Sequence, residues 1–312
     1  MLLTFDRLRA KPTIFKAFTG VSLSEFETLL TQSTPLWVAS EQQRLSRPDR
    51  QRALGGGCKP KFGLRDQLLV TLVWLRLYLG TETLDFLFGI DKATVSRYTR
   101  AILPVLRQVG DATLGWMEPP KRGQGKDLAA ARTAYPDLFA IVDATEQPVE
   151  RSQDAEHQKQ HYSGKKKRHT RKVQIIVNEY GVVREVSDSV PGAVHDRELF
   201  RQSGAAEAIP KETVTGGDAG YQGIQDDLPD HSVITPFKKT KLNLLTEEQK
   251  LLNQEFSRTR IIVENILAQF KNFKALAERF RHDVDRWDDV FRAVLAIINP
   301  RTLKRLAAAQ AA

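Results

Sequence analysis

The chain has 312 residues, a net charge of +9 and a sequence pI near 9.6, with 41% hydrophobic and 27% charged residues. This length allows one large or two moderate domains, and the basic excess favours nucleic acid over a membrane surface as partner. The single cysteine, Cys58, excludes an internal disulfide and a multi-cysteine zinc site, and it indicates a reduced thiol in the cytosol. The N-terminal apolar run is too short for a secretory signal. The most apolar segment, 68–79, contains Arg76, so we expect a buried helix and no membrane span.

The first 60 residues predict one amphipathic helix and a connector. Ser22 to Ser24 offer N-terminal caps, and Phe26, Leu29 and Leu30 follow at helical spacing. Residues 41–60 are polar and basic and contain a glycine triplet. This composition indicates either a solvated flexible linker or a segment that touches phosphates.

Residues 63–103 have the pattern of three helices. An apolar helix over 66–79 is expected to end at Gly80 in the left-handed conformation. A short helix from Thr81 and a turn over 89–91 then lead into a helix over 92–103, which is the layout of a helix-turn-helix. The alternative is a plain three-helix bundle with a basic surface. The side chains expected to face a DNA groove or its phosphates are Lys92, Thr94, Ser96, Arg97 and Arg100.

Prolines mark the end of this helical region. Pro104 and Pro119-Pro120 bracket a further helical piece, and the glycine-containing basic stretch 121–126 follows. These features predict a domain boundary near residue 130.

The stretch around which the rest of the chain is organised is a strand that runs into an acid. Phe139 to Val142 are four consecutive apolar residues, typical of a strand buried on both faces, and Asp143 follows where the strand is expected to end. A carboxylate there is costly unless something pairs with its charge. Asp143 is therefore either a cap of the next turn or the first member of an acidic metal site.

A basic loop is expected over 146–171. Seven Lys or Arg fall between 159 and 172, and no acid lies between Glu156 and Glu179. Because the run is internal and flanked by strands, we expect it to bind a nucleic-acid backbone; the alternative is a solvated surface. The predicted contacts are Lys165, Lys166, Lys167, Arg168 and Arg171.

A hairpin and a helix follow the loop. Strands over 173–178 and 182–188, joined near Gly181, predict an antiparallel hairpin. His195 and Asp196 then open a helix and are secondary candidates for the site. We expect Asp196 to cap this helix.

The second acid of the predicted site is Asp218. A short strand over 213–217 breaks into a glycine-rich turn around this residue. Glycines let the backbone pass closely by an ion or a phosphate, although a simple strand-ending turn has the same pattern.

The third acid lies on a helix predicted over 260–273. Arg260, Glu264 and Lys271 have offsets of four and seven and share one stripe of this helix, although an Arg260–Glu264 salt bridge worth about 0.3–0.5 kcal/mol also explains the pair. The apolar residues spaced by three and four form the buried stripe: Val263, Ile266, Phe270 and Phe273.

The order strand, hairpin, helix, strand and helix predicts an α/β (α+β mixed sheet), ribonuclease-H-like domain, preceded by an all-α helix-turn-helix domain. Converging carboxylates at Asp143, Asp218 and Glu264 can hold two divalent ions roughly 4 Å apart. One ion would activate water or a 3′-hydroxyl, and the other would stabilise the leaving oxygen. Oxygen ligands favour Mg²⁺ or Mn²⁺ over zinc.

Five segments carry a family likeness: Ile141 to Asp143, Tyr162 to Lys166, Pro191 to Asp196, Gly217 to Gly223, and Arg260 to Glu264. Together they resemble the DDE transposases of bacterial insertion sequences, in the branch related to Harbinger-type elements. The resemblance covers about residue 62 to about 298, and the joint motif set is specific.

The resemblance implies roles for individual residues. By position, the catalytic and metal-binding triad is Asp143, Asp218 and Glu264. Arg260 and Lys271 match the family's Arg and Lys around its last acid, and we expect both to contact DNA. The family's Tyr three residues before that Arg is Ser257 here, which puts one helper contact in doubt.

The resemblance also implies an activity: metal-dependent cleavage of double-stranded DNA at terminal inverted repeats and strand transfer into target DNA. We expect the protein to act on DNA as a homodimer or larger assembly. We expect it in the bacterial cytosol, associated with the nucleoid. The expected domains are an N-terminal helical segment with its linker, the helix-turn-helix domain, the catalytic domain and a tail, at 1–60, 61–130, 131–300 and 301–312.

Two other functions are compatible with parts of the sequence. One is a domesticated DDE-type nuclease without transposition, and the other is a non-catalytic DNA-binding repressor. Three acids on three separate elements argue against the repressor, because such a protein needs none of them.

Overall fold

A computed structural model of the chain describes residues 2–46, 60–117, 137–239 and 244–310. Most of the predicted connector, including Cys58, lies outside the described residues, as do the stretch 121–126 and the predicted boundary near 130. The chain divides into two compact units. The helical unit comprises Met1–Thr113, Phe270–Glu278 and His282–Pro300, and the sheet unit comprises Leu114–Gln269, Arg279–Arg281 and Arg301–Ala312.

The helical unit begins with six helices over the described part of 5–111. Ser22, the first of the predicted caps, caps the helix that begins at Leu23: its hydroxyl accepts from the Glu25 N–H, and the Glu25 carboxylate accepts from the Ser22 N–H. The helices are α1 (Phe5–Arg9), α2 (Pro12–Thr19), α3 (Leu23–Leu45), α4 (Leu64–Leu77), α5 (Thr81–Phe88) and α6 (Lys92–Asp111). Residues 41–45, predicted as connector, belong to α3.

The end of α4 differs from its prediction. Tyr78, not Gly80, adopts the left-handed conformation, with φ of 53°. This conformation is unfavourable for a residue with a side chain. The Tyr78 ring is 2% exposed and packs edge-on against Trp74 and His282, and this aromatic packing offsets the strain.

Helix α6 continues past Pro104, although the sequence predicted that the helix ends at residue 103. Pro104 lies inside the helix, which extends to Asp111. A proline costs one backbone hydrogen bond, but the apolar residues around it are fully buried and hold both halves of the helix in place. These residues are Ile102, Leu103, Val105 and Leu106.

The sheet unit is built on a mixed sheet. Its described strands are β1 (Phe139–Pro148), β2 (Tyr162–Ser163), β3 (Arg168–Asn178), β4 (Val183–Val186), β5 (Val190–Pro191), β6 (Val214–Gly217) and β7 (Val233–Ile234). Strand β3 pairs antiparallel with β1 over residues 170–178, and with β4 and β5 over parts of the same stretch. Strand β2 pairs with residues 168 and 169 of β3. Strands β1, β6 and β7 pair in parallel. This is the ribonuclease-H-like arrangement that the sequence predicted.

Helices of the sheet unit complete its core. They are α7 (Ala155–His161), α8 (Asp196–Gln202), α9 (Ala205–Ala208) and α10 (Glu247–Lys271). One core cluster joins Val142 and Ile176 of the sheet to Phe200 of α8 and to Tyr221. Helix α10 begins earlier than predicted and ends at Lys271, so Phe273 lies just beyond it. The predicted burial is confirmed: Val263, Ile266, Phe270 and Phe273 are each at most 2% exposed.

The last helices are α11 (Lys274–Ala277) and α12 (Trp287–Gln310). The part of α12 up to Pro300 belongs to the helical unit. There Arg107 donates to Asp289 at 3.0 Å, and Gly110 lies so close to the Arg292 backbone that a side chain at position 110 would not fit. Residues 301–310, expected to be a tail, continue this helix. Among the described residues, no helix is both long and apolar enough to cross a membrane.

Candidate active site

The sequence had suggested that Asp143 ends its strand, but Asp143 lies within β1. The strand continues to Pro148 because β3 pairs with it along this length, with Asp143 opposite Ile175. On the other side, the parallel ladder with β6 ends at the pair Val142–Gly217. Asp143 follows Val142, and Asp218 follows Gly217, directly after this last pair. The fold therefore brings these two predicted acids together.

The surroundings of Asp143 disfavour its charged form. Its side chain is 14% exposed, and burial raises its pKa from 3.8 to about 6. The Ala144 N–H, which donates to Oδ1 at 2.8 Å, and the Arg260 guanidinium oppose this shift, whereas Asp218 and Asp196 add to it. Asp143 thus lies among other acids in a partly dry site.

Asp218 caps the short 3₁₀ turn that follows β6, and the glycines around it make room for neighbours. Its Oδ1 accepts from the Gly220 N–H at 2.8 Å. A Cβ on Gly217 would lie 2.7 Å from the Cβ of Tyr221, and one on Gly220 would lie 2.5 Å from Oδ2 of Asp196. Asp196 therefore lies directly against the turn that carries Asp218.

Glu264 approaches this cluster through an arginine. Its side chain is 57% exposed, and the Arg260 Nη2 lies 3.6 Å from Oε1 of Glu264 and 3.8 Å from Oδ2 of Asp143. Helix α10 packs on β6 through Phe256, whose ring leaves no space for a side chain at Gly216. Arg260 is thus the described link between the first and third predicted acids.

The donor set suits a divalent cation in its chemistry, because it consists of carboxylate oxygens on neighbouring strands. Within the described ranges, no three His, Cys, Asp or Glu side chains are grouped closely enough to hold one metal ion. Asp143 and Asp218 are neighbours, while Glu264 is held by Arg260. The residues present fit a cation at the first two acids.

His195 and Asp196, the two secondary candidates, differ in what they do at the start of α8. His195 caps α8, because its Nδ1 accepts from the Arg197 N–H at 3.3 Å. The expectation that Asp196 caps this helix was wrong. Its Oδ1 instead accepts from Lys172 Nζ at 2.8 Å, and Glu146 lies 3.6 Å from the same ammonium group. The ion pair with Lys172 thus holds Asp196 beside the turn that carries Asp218.

Tyr221 places an unpartnered hydroxyl under this cluster. Its side chain is fully buried, and its Oη makes no hydrogen bond within the described part of the chain. Burial raises its pKa, and the charges of Asp196, Asp143 and Asp218 raise it further. A buried polar atom without a partner is unusual and is often found at functional sites.

Comparisons with known proteins show the family of this chain. Residues 142–299 match the family model described as "DDE superfamily endonuclease", which is half of the chain. Residues 60–112 match the "helix-turn-helix of DDE superfamily endonuclease". The chain belongs to the DDE superfamily endonucleases.

A curated relative of this DDE endonuclease is described as "probable transposase for insertion sequence element IS702", from Microchaete diplosiphon. It is 28% identical over 269 residues, which are 86% of this chain and 87% of the relative. The family match and this relative confirm the predicted DNA-cleaving transposase and do not favour the nuclease or repressor alternatives. DDE superfamily enzymes use divalent metal ions. The branch related to Harbinger-type elements stays a prediction.

The helix-turn-helix of the endonuclease presents its predicted contacts on α6. Asp91 caps the helix, and Arg97 reaches Thr94 at 2.7 Å. Lys92 lies 4.0 Å from Glu82. Arg97 and Arg100 line a groove of about 950 Å³ within the helical unit. Lys92, Arg97 and Arg100 are exposed, while Thr94 and Ser96 are half-buried.

The basic run of the DDE endonuclease divides into two parts, because β3 begins at residue 168 and not at 173. Lys165, Lys166 and Lys167 form an exposed turn between β2 and β3, and Arg168 is the exposed first residue of β3. Arg171 is half-buried, and its Nε donates to Ser189 Oγ at 2.8 Å. Lys271, the last residue of α10, is exposed.

Sequence reasoning missed Lys172, Glu146 and Tyr221 as members of the site. Lys172 was counted with the basic run but is 6% exposed. Its burial depends on Glu146 and Asp196, which are distant in the chain, so the basic run itself did not reveal it.

Proposed function

We propose that this transposase cuts the terminal inverted repeats of its own insertion element and joins the ends to target DNA, with Asp143, Asp218 and Glu264 as catalytic carboxylates. The observation that carries this proposal is the end of the parallel ladder at Val142 and Gly217, which makes Asp143 and Asp218 neighbours. The relative's description as an insertion-sequence transposase supports the substrate.

The cofactor proposed is Mg²⁺ or Mn²⁺, with two ions per site, held by Asp143, Asp218 and Glu264. Bound divalent ions supply Lewis acidity to phosphate oxygens and activate water or a 3′-hydroxyl. The chain itself contributes a low-dielectric setting around Asp143 and a fixed positive charge on Arg260, 3.8 Å from that acid. The positive charge of Arg260 favours a phosphodiester close to the acids.

The proposed DNA contacts come from two surfaces. The helix-turn-helix recognises the element's ends through the exposed residues of α6, and the basic turn of Lys165, Lys166 and Lys167 with Arg168 holds the backbone near the acids. Arg171, Arg260 and Lys271 are proposed as further contacts. The protein is proposed to act as a homodimer or larger assembly in the cytoplasm, associated with the nucleoid.

Cleavage of the element's own end DNA tests the proposal. The wild-type chain with Mg²⁺ should nick or cut a labelled duplex at the element boundary, and Asp143→Ala should abolish the cut while it still binds the duplex. Equal cleavage by the two proteins would overturn the proposed role of Asp143.

A further inference from the structure

A cleft of about 500 Å³ opens beside Asp218 in the sheet unit. Its floor is acidic, with Glu146, Asp196 and Asp218, and Lys172 is the buried cation among them. Further lining comes from the basic turn, from residues 192–195 before α8, from Ala219 and Gly220, and from Lys238 after β7.

An exposed aromatic ring stands at the rim of this cleft. Tyr162 is 45% exposed, although it belongs to β2 and pairs with His169 of β3. The His169 ring meets it edge-on, with centroids 5.7 Å apart and planes at 70°. One side of the Tyr162 ring is thus fixed, which suits it to stack a flat partner at low entropic cost.

Two lysines complete the rim. Lys165 and Lys238 line the cleft, both are exposed, and neither forms an ion pair with an acid in the described part of the chain. The turn that carries Lys165 is shaped in advance. Lys167 is held at φ of 54°, and its N–H donates to the Ser163 carbonyl at 2.8 Å. Such strain at a residue with a side chain is maintained by its surroundings and is typical of functional turns.

We propose that this cleft receives one unpaired nucleotide of the DNA strand beside the scissile phosphate. The base stacks on Tyr162, and Lys165 and Lys238 bind the flanking phosphates. The inference rests on the proposed function, because it assigns a strand position next to Asp218.

The distribution of charge and the size of the cleft favour this ligand. Acids on the floor repel a phosphate, whereas the lysines on the rim attract it, so the phosphates stay at the rim, where the base can reach the Tyr162 ring. A volume of about 500 Å³ suits a small molecule and is far too small for a duplex. Stacking on an aromatic ring with cations along the backbone is the usual recognition of unpaired nucleic acid.

Binding of two duplexes to the full chain tests the inference without any cleavage. The duplexes share one sequence, and one of them carries a single-nucleotide bulge; fluorescence anisotropy is measured at fixed salt without divalent metal. The wild type should bind the bulged duplex roughly 5- to 150-fold more tightly. Tyr162→Ala should remove this preference, and Tyr162→Phe should keep it.

Neighbouring lysines provide the matched control. Lys238→Ala should reduce the preference, whereas Lys239→Ala, at an exposed lysine that does not line the cleft, should leave it unchanged. Equal affinity of the wild type for both duplexes, or a preference that survives Tyr162→Ala, would overturn the inference. A wild type that prefers the bulge but fails to cut its element's ends would support the cleft and count against the proposed function.

Discussion

Asp143 and Asp218 directly follow the last residue pair of the parallel ladder between β1 and β6. Two acids 75 positions apart in the chain therefore reach one edge of the sheet as neighbours. Burial and the nearby acids raise the pKa of Asp143 to about 6, so the arrangement costs stability in the absence of a cation. An acid maintained at such a cost is typical of a functional site.

Lys172 should contribute more to stability than any lysine of the exposed turn. Lys172→Met leaves Glu146 and Asp196 without their buried cation, which should lower the free energy of unfolding by about 3–5 kcal/mol. Lys167→Met is the control and should cost less than about 1 kcal/mol. Urea unfolding of both variants measures the difference; similar decreases in stability would show that Lys172 is not a structural cation.

Glu185 should make stability depend on pH. Burial raises its pKa from 4.5 to about 7; Trp116 opposes the shift and Glu207 adds to it. Because the folded-state pKa is the higher one, the stabilising contribution is complete below about pH 4.5 and is lost as pH rises through 7.

Glu185→Gln should therefore gain stability relative to the wild type between pH 4.5 and pH 8, by up to about 3 kcal/mol. Urea titrations of both proteins at several pH values measure this. A stability difference that stays constant with pH would contradict the raised pKa of Glu185.

The helix-turn-helix prediction is tested on its exposed arginines. Arg97→Ala and Arg100→Ala should each weaken binding to the element's end by about 5-fold or more, because each removes a cation from the proposed groove-facing side of α6. Arg9→Ala, at an exposed arginine of α1, is the control. Gel-shift titration at fixed salt measures the affinities, and unchanged affinity in both α6 variants would exclude this contact.

The exposed basic turn should determine part of the salt dependence of binding. Replacing Lys165, Lys166, Lys167 and Arg168 together with Gln should flatten the plot of log K against log salt. The slope should fall by roughly 0.9 for each DNA phosphate that the turn no longer neutralises. Identical slopes for variant and wild type would mean that the turn is a solvated surface.

Local sequence patterns predicted the features that depend on residues close together in the chain. The apolar spacing from Val263 to Phe270 gave the buried face of α10, and the turn before α6 gave the helix-turn-helix. Both signals arise from the periodicity of one helix and from its cap.

The remaining features depend on partners that are distant in sequence. Asp143 lies in mid-strand because β3 continues to pair beyond it, and Lys172 is buried because Glu146 and Asp196 surround it. Tyr78 takes a left-handed conformation because ring packing compensates for it. Composition and spacing do not contain these contacts, so they could not be predicted from the sequence.

The central claim is that Asp143, Asp218 and Glu264 act together in DNA cleavage, and Glu264 offers its most direct test. Glu264→Gln keeps the shape of a 57% exposed side chain and removes its charge, so folding and DNA binding should be preserved. Glu255→Gln, at an exposed acid of the same helix, is the matched control. In a cleavage assay on labelled element-end DNA with Mg²⁺, the account predicts no cleavage by Glu264→Gln and wild-type cleavage by Glu255→Gln. Robust cleavage by Glu264→Gln would contradict it.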